Sequence, residues 1–79
     1  MMAFIYTKAK FIRLLDDYET DIKSSITGRY KSDYLEEVGQ VIHNKLYEQK
    51  GLFTLEFEDG QRWMFERNQL QFKERKYLK

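Results

Sequence analysis

The most constraining stretch of this chain is LFTLEFEDGQRWMFE, residues 52–66, in which large apolar residues alternate with polar ones on both sides of an Asp-Gly pair. A period of two places Phe53, Leu55 and Phe57 on one face of a strand, and Trp63 and Phe65 on one face of the next. Parity then fixes the turn. A two-residue turn at Asp59-Gly60 pairs Glu58 with Gln61 and sets Trp63 across from Glu56, on the wrong face from Leu55. A three-residue loop, Glu58-Asp59-Gly60, pairs Phe57 with Gln61, Leu55 with Trp63 and Phe53 with Phe65. Every large apolar residue then shares one face, Trp63 counts as core, and Glu56 faces Arg62 on the wet side. Gly60 is expected at the left-handed position of a type I turn plus bulge, which costs a residue without Cβ little.

The first fifty residues admit two readings. In one, Phe11, Leu14, Leu15, Tyr18, Ile22 and Ile26 recur at helical spacing up to Gly28, and a second helix starts at Ser32 or Asp33, runs through Leu46 and ends before Gly51. That reading gives an α+β domain, two helices packed on a C-terminal β-hairpin. In the other, KAKFIRLL is a first strand, a long charged loop spans 16–37, VGQVI (38–42) is a second strand and residues 46–48 lead into the hairpin. Gly39 then sits in a strand, where a missing side chain permits tight curvature, instead of costing about 1 kcal/mol inside a helix.

The segments KAKFIRLL, EVGQVI, GLFTLEFEDG and RWMFERNQLQF, in that order, resemble a small SH3-like β-barrel of the KOW or Tudor kind over about residues 8–72. The resemblance implies a mainly β fold with a long first loop, a short 3₁₀ turn at Arg67-Asn68-Gln69-Leu70 and a closing strand at Gln71-Phe72. It places the tyrosines of the long loop where such domains generally engage peptides, RNA or other proteins. The expected organisation is a single globular domain over 4–72 and a basic, frayed tail over 73–79.

Seventy-nine residues bury only about 60% of their unfolded surface, so the core depends on large side chains, here thirteen aromatics. The chain has no cysteine and therefore no disulfide or thiolate chemistry, which sets a reducing cytoplasm as the expected compartment. Neither a secretory segment nor a run of about 20 apolar residues is visible. His43 is the only histidine, the neighbouring acid pairs Asp16/Asp17 and Glu36/Glu37 point apart, and no phosphate-cradling glycine motif occurs. The expectation is a non-enzymatic domain without metal or cofactor.

Fourteen cations against thirteen anions leave a net charge of +1, so partners must be recognised by local patches. The first expectation is a protein partner, bound through Tyr18, Tyr30 and Tyr34 with Arg29 and Lys31. Tyr suits such a surface because it buries area while keeping a polar tip. Size and style also suit a small phage-type or mobile-element inhibitor of a host protein. The alternative is nucleic-acid binding through Lys8, Lys10 and Arg13 of the first strand and Lys73, Arg75 and Lys76 of the tail, with aromatics stacking on bases. Membrane association is not expected, and the chain is expected to be a monomer or a weak homodimer through an unpaired strand edge.

Overall fold

The computed structural model describes residues 3–15 and 21–78. Five antiparallel strands form one sheet: β1 (Ala3–Phe11), β2 (Val38–Ile42), β3 (Leu52–Glu56), β4 (Arg62–Glu66) and β5 (Leu70–Leu78), in the order β4-β3-β2-β1-β5. A 3₁₀ turn (Lys31–Tyr34) precedes β2, a one-turn helix α1 (Lys45–Gln49) joins β2 to β3, and a second 3₁₀ turn (Arg67–Gln69) joins β4 to β5.

The hairpin has the register that parity requires, with Phe53 opposite Phe65, Leu55 opposite Trp63 and Glu56 opposite Arg62. Phe57 N–H donates to the Gln61 carbonyl at 2.9 Å, so the loop is three residues long, and Gly60 has φ +88°. β2 covers the expected residues 38–42, and the 3₁₀ turn ends one residue before the expected position.

Three expectations about the elements are corrected. The helical reading fails where the structure describes it, because Leu14, Ile22, Ile26 and Leu46 of the proposed stripes are 46%, 53%, 89% and 70% exposed and cover no core. The first strand is Ala3–Phe11 instead of 8–15, so AFIY supplies its first half. Residues 46–48 do lead into the hairpin, from within α1, whose first turn is capped by the Asn44 side chain accepting from the Leu46 and Tyr47 amides. Residues 73–78, expected as a tail outside the domain, are placed as the outer half of β5, paired with β1 as far as Ala3 opposite Leu78. That pairing replaces the apolar pattern the segment lacks.

The sheet does not close into a barrel, since β4 and β5 stand at its opposite edges, but it is strongly curled. Phe11 on β1 and Phe65 on β4 are three strands apart, about 14 Å on a flat sheet. Their ring centroids are 4.6 Å apart. Gly39 permits this curl: a Cβ there would lie 3.0 Å from Leu55 Cβ and 3.1 Å from the Glu56 carbonyl. Ala9, Phe11, Val41, Leu55, Phe57, Phe65 and Leu70 fill the concave side, with Phe53, Trp63 and Phe72 packed around them. Tyr34, from the 3₁₀ turn, covers this core from above and touches the Phe57 ring at 4.7 Å.

Candidate functional site

The residues of the expected protein-binding loop do not form one surface. Tyr18 lies outside the described residues. Tyr34 is fully buried and belongs to the core, which removes it from any docking surface. Its hydroxyl donates to Asp59 Oδ2 at 2.6 Å. Arg29 stacks on the Tyr34 ring with its guanidinium carbon 3.9 Å from the centroid, and bonds Asp59 at 3.0 Å and Glu37 more closely. These contacts fasten the loop to the β3–β4 turn. Desolvation, then the bond to Asp59, raises the Tyr34 pKa, while the Tyr34 hydroxyl, the Gln61 amide and Arg29 lower that of Asp59. The Arg29 pKa is raised, most by its bond to Glu37. Lys31 lies with its ammonium 4.8 Å from the Phe65 centroid, and Tyr30 alone of the described set presents an exposed ring, 44% accessible.

The alternative set comes together on β1 and β5, except Arg13, which lies past the end of β1. Lys8 stands directly opposite Lys73, Tyr6 opposite Arg75 and Ile5 opposite Lys76. Like charges placed directly opposite are unfavourable in an antiparallel pair, and nothing in the core requires them there. Lys8 meets Glu74 at 3.5 Å and Lys10 meets Glu36 at 3.0 Å, exposed pairs worth about 0–1 kcal/mol each. The ten residues 70–79 contain four cations and one anion, a charge of +3, so the other sixty-nine carry −2 of the total of +1.

β2 pairs with β1 only from Lys8 to Lys10, so residues 3–7 and 74–78 project as a two-stranded arm. At the base of the arm the side-chain alternation steps by one. Thr7 and Glu74 are missing from the ladder, Glu74 has φ +48°, and the Thr7 hydroxyl donates to its carbonyl. Strict alternation from the buried Ala9 would turn Tyr6 away from the core side. Instead the Tyr6 ring lies 5.3 Å from Phe72, and Phe72 packs against the core.

The step creates a row of five rings that the sequence reading missed. Centroid separations are 6.0 Å from Tyr77 to Phe4, 5.3 Å from Phe4 to Tyr6, 5.3 Å from Tyr6 to Phe72 and 5.2 Å from Phe72 to Phe53. Exposure rises outward from half-buried Phe53 and Phe72 to Phe4 at 40% and Tyr77 at 52%. Arg75 lies over Phe4 at 4.7 Å and Tyr6 at 5.8 Å, and Arg67 lies 5.7 Å from the Phe72 centroid. Bonding to the Tyr77 and Tyr6 hydroxyls raises the Arg75 pKa. The alternation of Phe4 and Tyr6 was a usable signal, obscured because the segment reads as an apolar start.

Where the arm meets the body, a cleft of about 200 Å³ is lined by the Tyr6, Phe53 and Phe72 rings, with His43, Glu48 and Arg67 at its rim. The rim is built locally. Glu48 accepts from the Asn44 amide at 3.1 Å and lies 3.1 Å from His43 Nδ1, while His43 Nε2–H donates to the Tyr6 carbonyl at 2.9 Å.

Among the described residues no group of three His, Cys, Asp or Glu side chains could hold a metal ion, and no helix is long and apolar enough to cross a membrane. No family model, curated protein or solved structure matches the chain.

Proposed function

We propose that this chain is a non-enzymatic nucleic-acid-binding module whose contact surface is the β1–β5 arm. The observation that carries the reading is the meeting of exposed rings with Arg75 and Lys76 on the arm and with the Lys8–Lys73 pair at its base. Cations along a backbone track and rings open to base faces are the two parts such a surface needs. β5 is an edge strand, so its long lysine stems can carry their ammonium groups to either face of the arm. The segment order kept by the fold, from first strand through VGQVI and the hairpin to the 3₁₀ turn and closing strand, supports the likeness to KOW and Tudor domains.

Fluorescence anisotropy with labelled oligonucleotides tests the reading. Four phosphate contacts give a log–log salt slope of about −3, so affinity falls about fifty-fold between about 50 and 200 mM salt. The triple variant Lys73→Glu, Arg75→Glu, Lys76→Glu is expected to abolish binding while the fold is kept. Absence of binding to single- and double-stranded probes at low salt refutes the reading.

One observation favours a second reading, docking of a protein partner. A groove of about 410 Å³ runs beside Trp63 at the outer edge of β4, flanked by Ile22 and Met64, which are 53% and 43% exposed. The Trp63 indole N–H is buried without a hydrogen-bond partner. The variant Ile22→Asp, Met64→Asp separates the two readings: it spares oligonucleotide binding and removes partner capture only if this groove docks a protein.

A further inference from the structure

We infer that the cleft between Tyr6, Phe53 and Phe72 is a nucleobase subsite, which makes the arm selective for single strands; this rests on the reading of the arm as a nucleic-acid surface. The three rings are half-buried and pack on one another at 5.2–5.3 Å, so a flat aromatic ligand lying in the cleft against them covers the faces that are otherwise left to water. Tyr6 and Phe72 are inclined by only 35°, which leaves one ring plane to stack along and a second, Phe53, set at 73° to Phe72, to close the side. The rim supplies edge recognition. Arg67 donates only and the Glu48 carboxylate accepts, matching the mixed donor and acceptor edge of a base, which an aliphatic or purely anionic ligand lacks. His43 ties this rim to the backbone of β1 through the Tyr6 carbonyl.

The position of the cleft adds to its shape. It lies at the inner end of the ring row, so a strand with one base in the cleft runs outward past Arg75, whose guanidinium lies over Phe4 and Tyr6, toward the exposed Tyr77 ring. Bases in a duplex are stacked on one another and present no free face, and entry of a base requires an unpaired nucleotide.

The test compares thymidine and uridine oligomers, each with its abasic counterpart of equal length and charge, and a duplex, by anisotropy at low salt. Binding of at least one base-bearing oligomer about tenfold or more tighter than its abasic counterpart and the duplex supports the subsite. Arg67→Ala, at an exposed position, is expected to erase most of that preference while leaving the salt slope unchanged. Tyr6→Leu is expected to do the same and Tyr6→Phe to restore it, with thermal melts showing the variants folded. Equal affinity for base-bearing and abasic oligomers, with salt dependence and sensitivity to the Lys73, Arg75, Lys76 variant intact, overturns the subsite and leaves the arm as a phosphate-binding surface. No binding to any probe overturns both the subsite and the reading on which it rests.

Discussion

Asp59 sits in the turn of the hairpin, yet it accepts from the buried Tyr34 hydroxyl, from Arg29 and from the Gln61 amide. Its pKa is lowered in the fold, so its stabilising contribution is present above the ordinary carboxylate range and is lost as pH falls through the lower folded value. The Tyr34 pKa is raised, so its contribution is complete below the ordinary phenol value and is lost as pH rises through the higher folded one. Urea melts are therefore expected to weaken at both acidic and strongly alkaline pH, and Asp59→Ala to flatten both limbs. That variant leaves the Tyr34 hydroxyl without its acceptor and is expected to cost about 1–3 kcal/mol. Gly39→Val tests the curl of the sheet. Its side chain must enter a space already held by Leu55 and the Glu56 backbone, so a loss of about 1–3 kcal/mol or more in urea melts is expected.

Among the elements, the hairpin and the arm differ in what holds them. The hairpin lies over a filled core, and its register follows from an odd loop with Gly60 in the left-handed region. Replacing Gly60 by Ala is expected to cost about 1–2 kcal/mol from backbone strain alone, since no atom crowds the position of its Cβ. The arm has two strands and no third layer, an arrangement that is marginal alone. Amide hydrogen exchange is expected to be faster for Ile5 and Tyr77 than for Val41 and Leu55 at the core. A surface that orders on binding gains protection when ligand is added, so protection of the arm amides by an oligonucleotide tests its role directly.

At the scale of the molecule, extents of 42 × 25 × 22 Å record the arm projecting from the curled sheet. Charge follows the same axis in sequence, with +3 in the last ten residues and −2 in the rest. Net charge near zero therefore conceals a cationic end able to steer a polyanion, and association is expected to slow steeply as salt rises from low values. Variants that remove Lys73 or Lys76 are expected to act more on the association rate than on dissociation, measured by stopped-flow mixing with a labelled oligonucleotide. Buried side chains act on stability instead. Phe65→Ala empties the contact with Phe11 and is expected to cost about 3–5 kcal/mol, a large part of what a small domain has.

The hairpin register, the strand at 38–42 and the turn after β4 were legible because each is set by local rules: side chains alternate with period two, and one odd loop decides which face they share. The long loop was not legible in the same way. The helical spacing of Leu14, Ile22 and Ile26 covers no core, and which of the loop's tyrosines is buried depends on the one that reaches over the open side of a curled sheet. Distance along the chain hid the arm as well, because Phe4 meets Tyr77 only after β5 returns beside β1. Sequence alone determined the faces of the hairpin strands β3 and β4, since neighbouring residues on a regular pleat must point opposite ways. Tertiary structure alone decided that Tyr34 is core and that Phe4, Tyr6, Phe72 and Arg75 stand together, since a long-range pairing and a step at Glu74 brought them to one side.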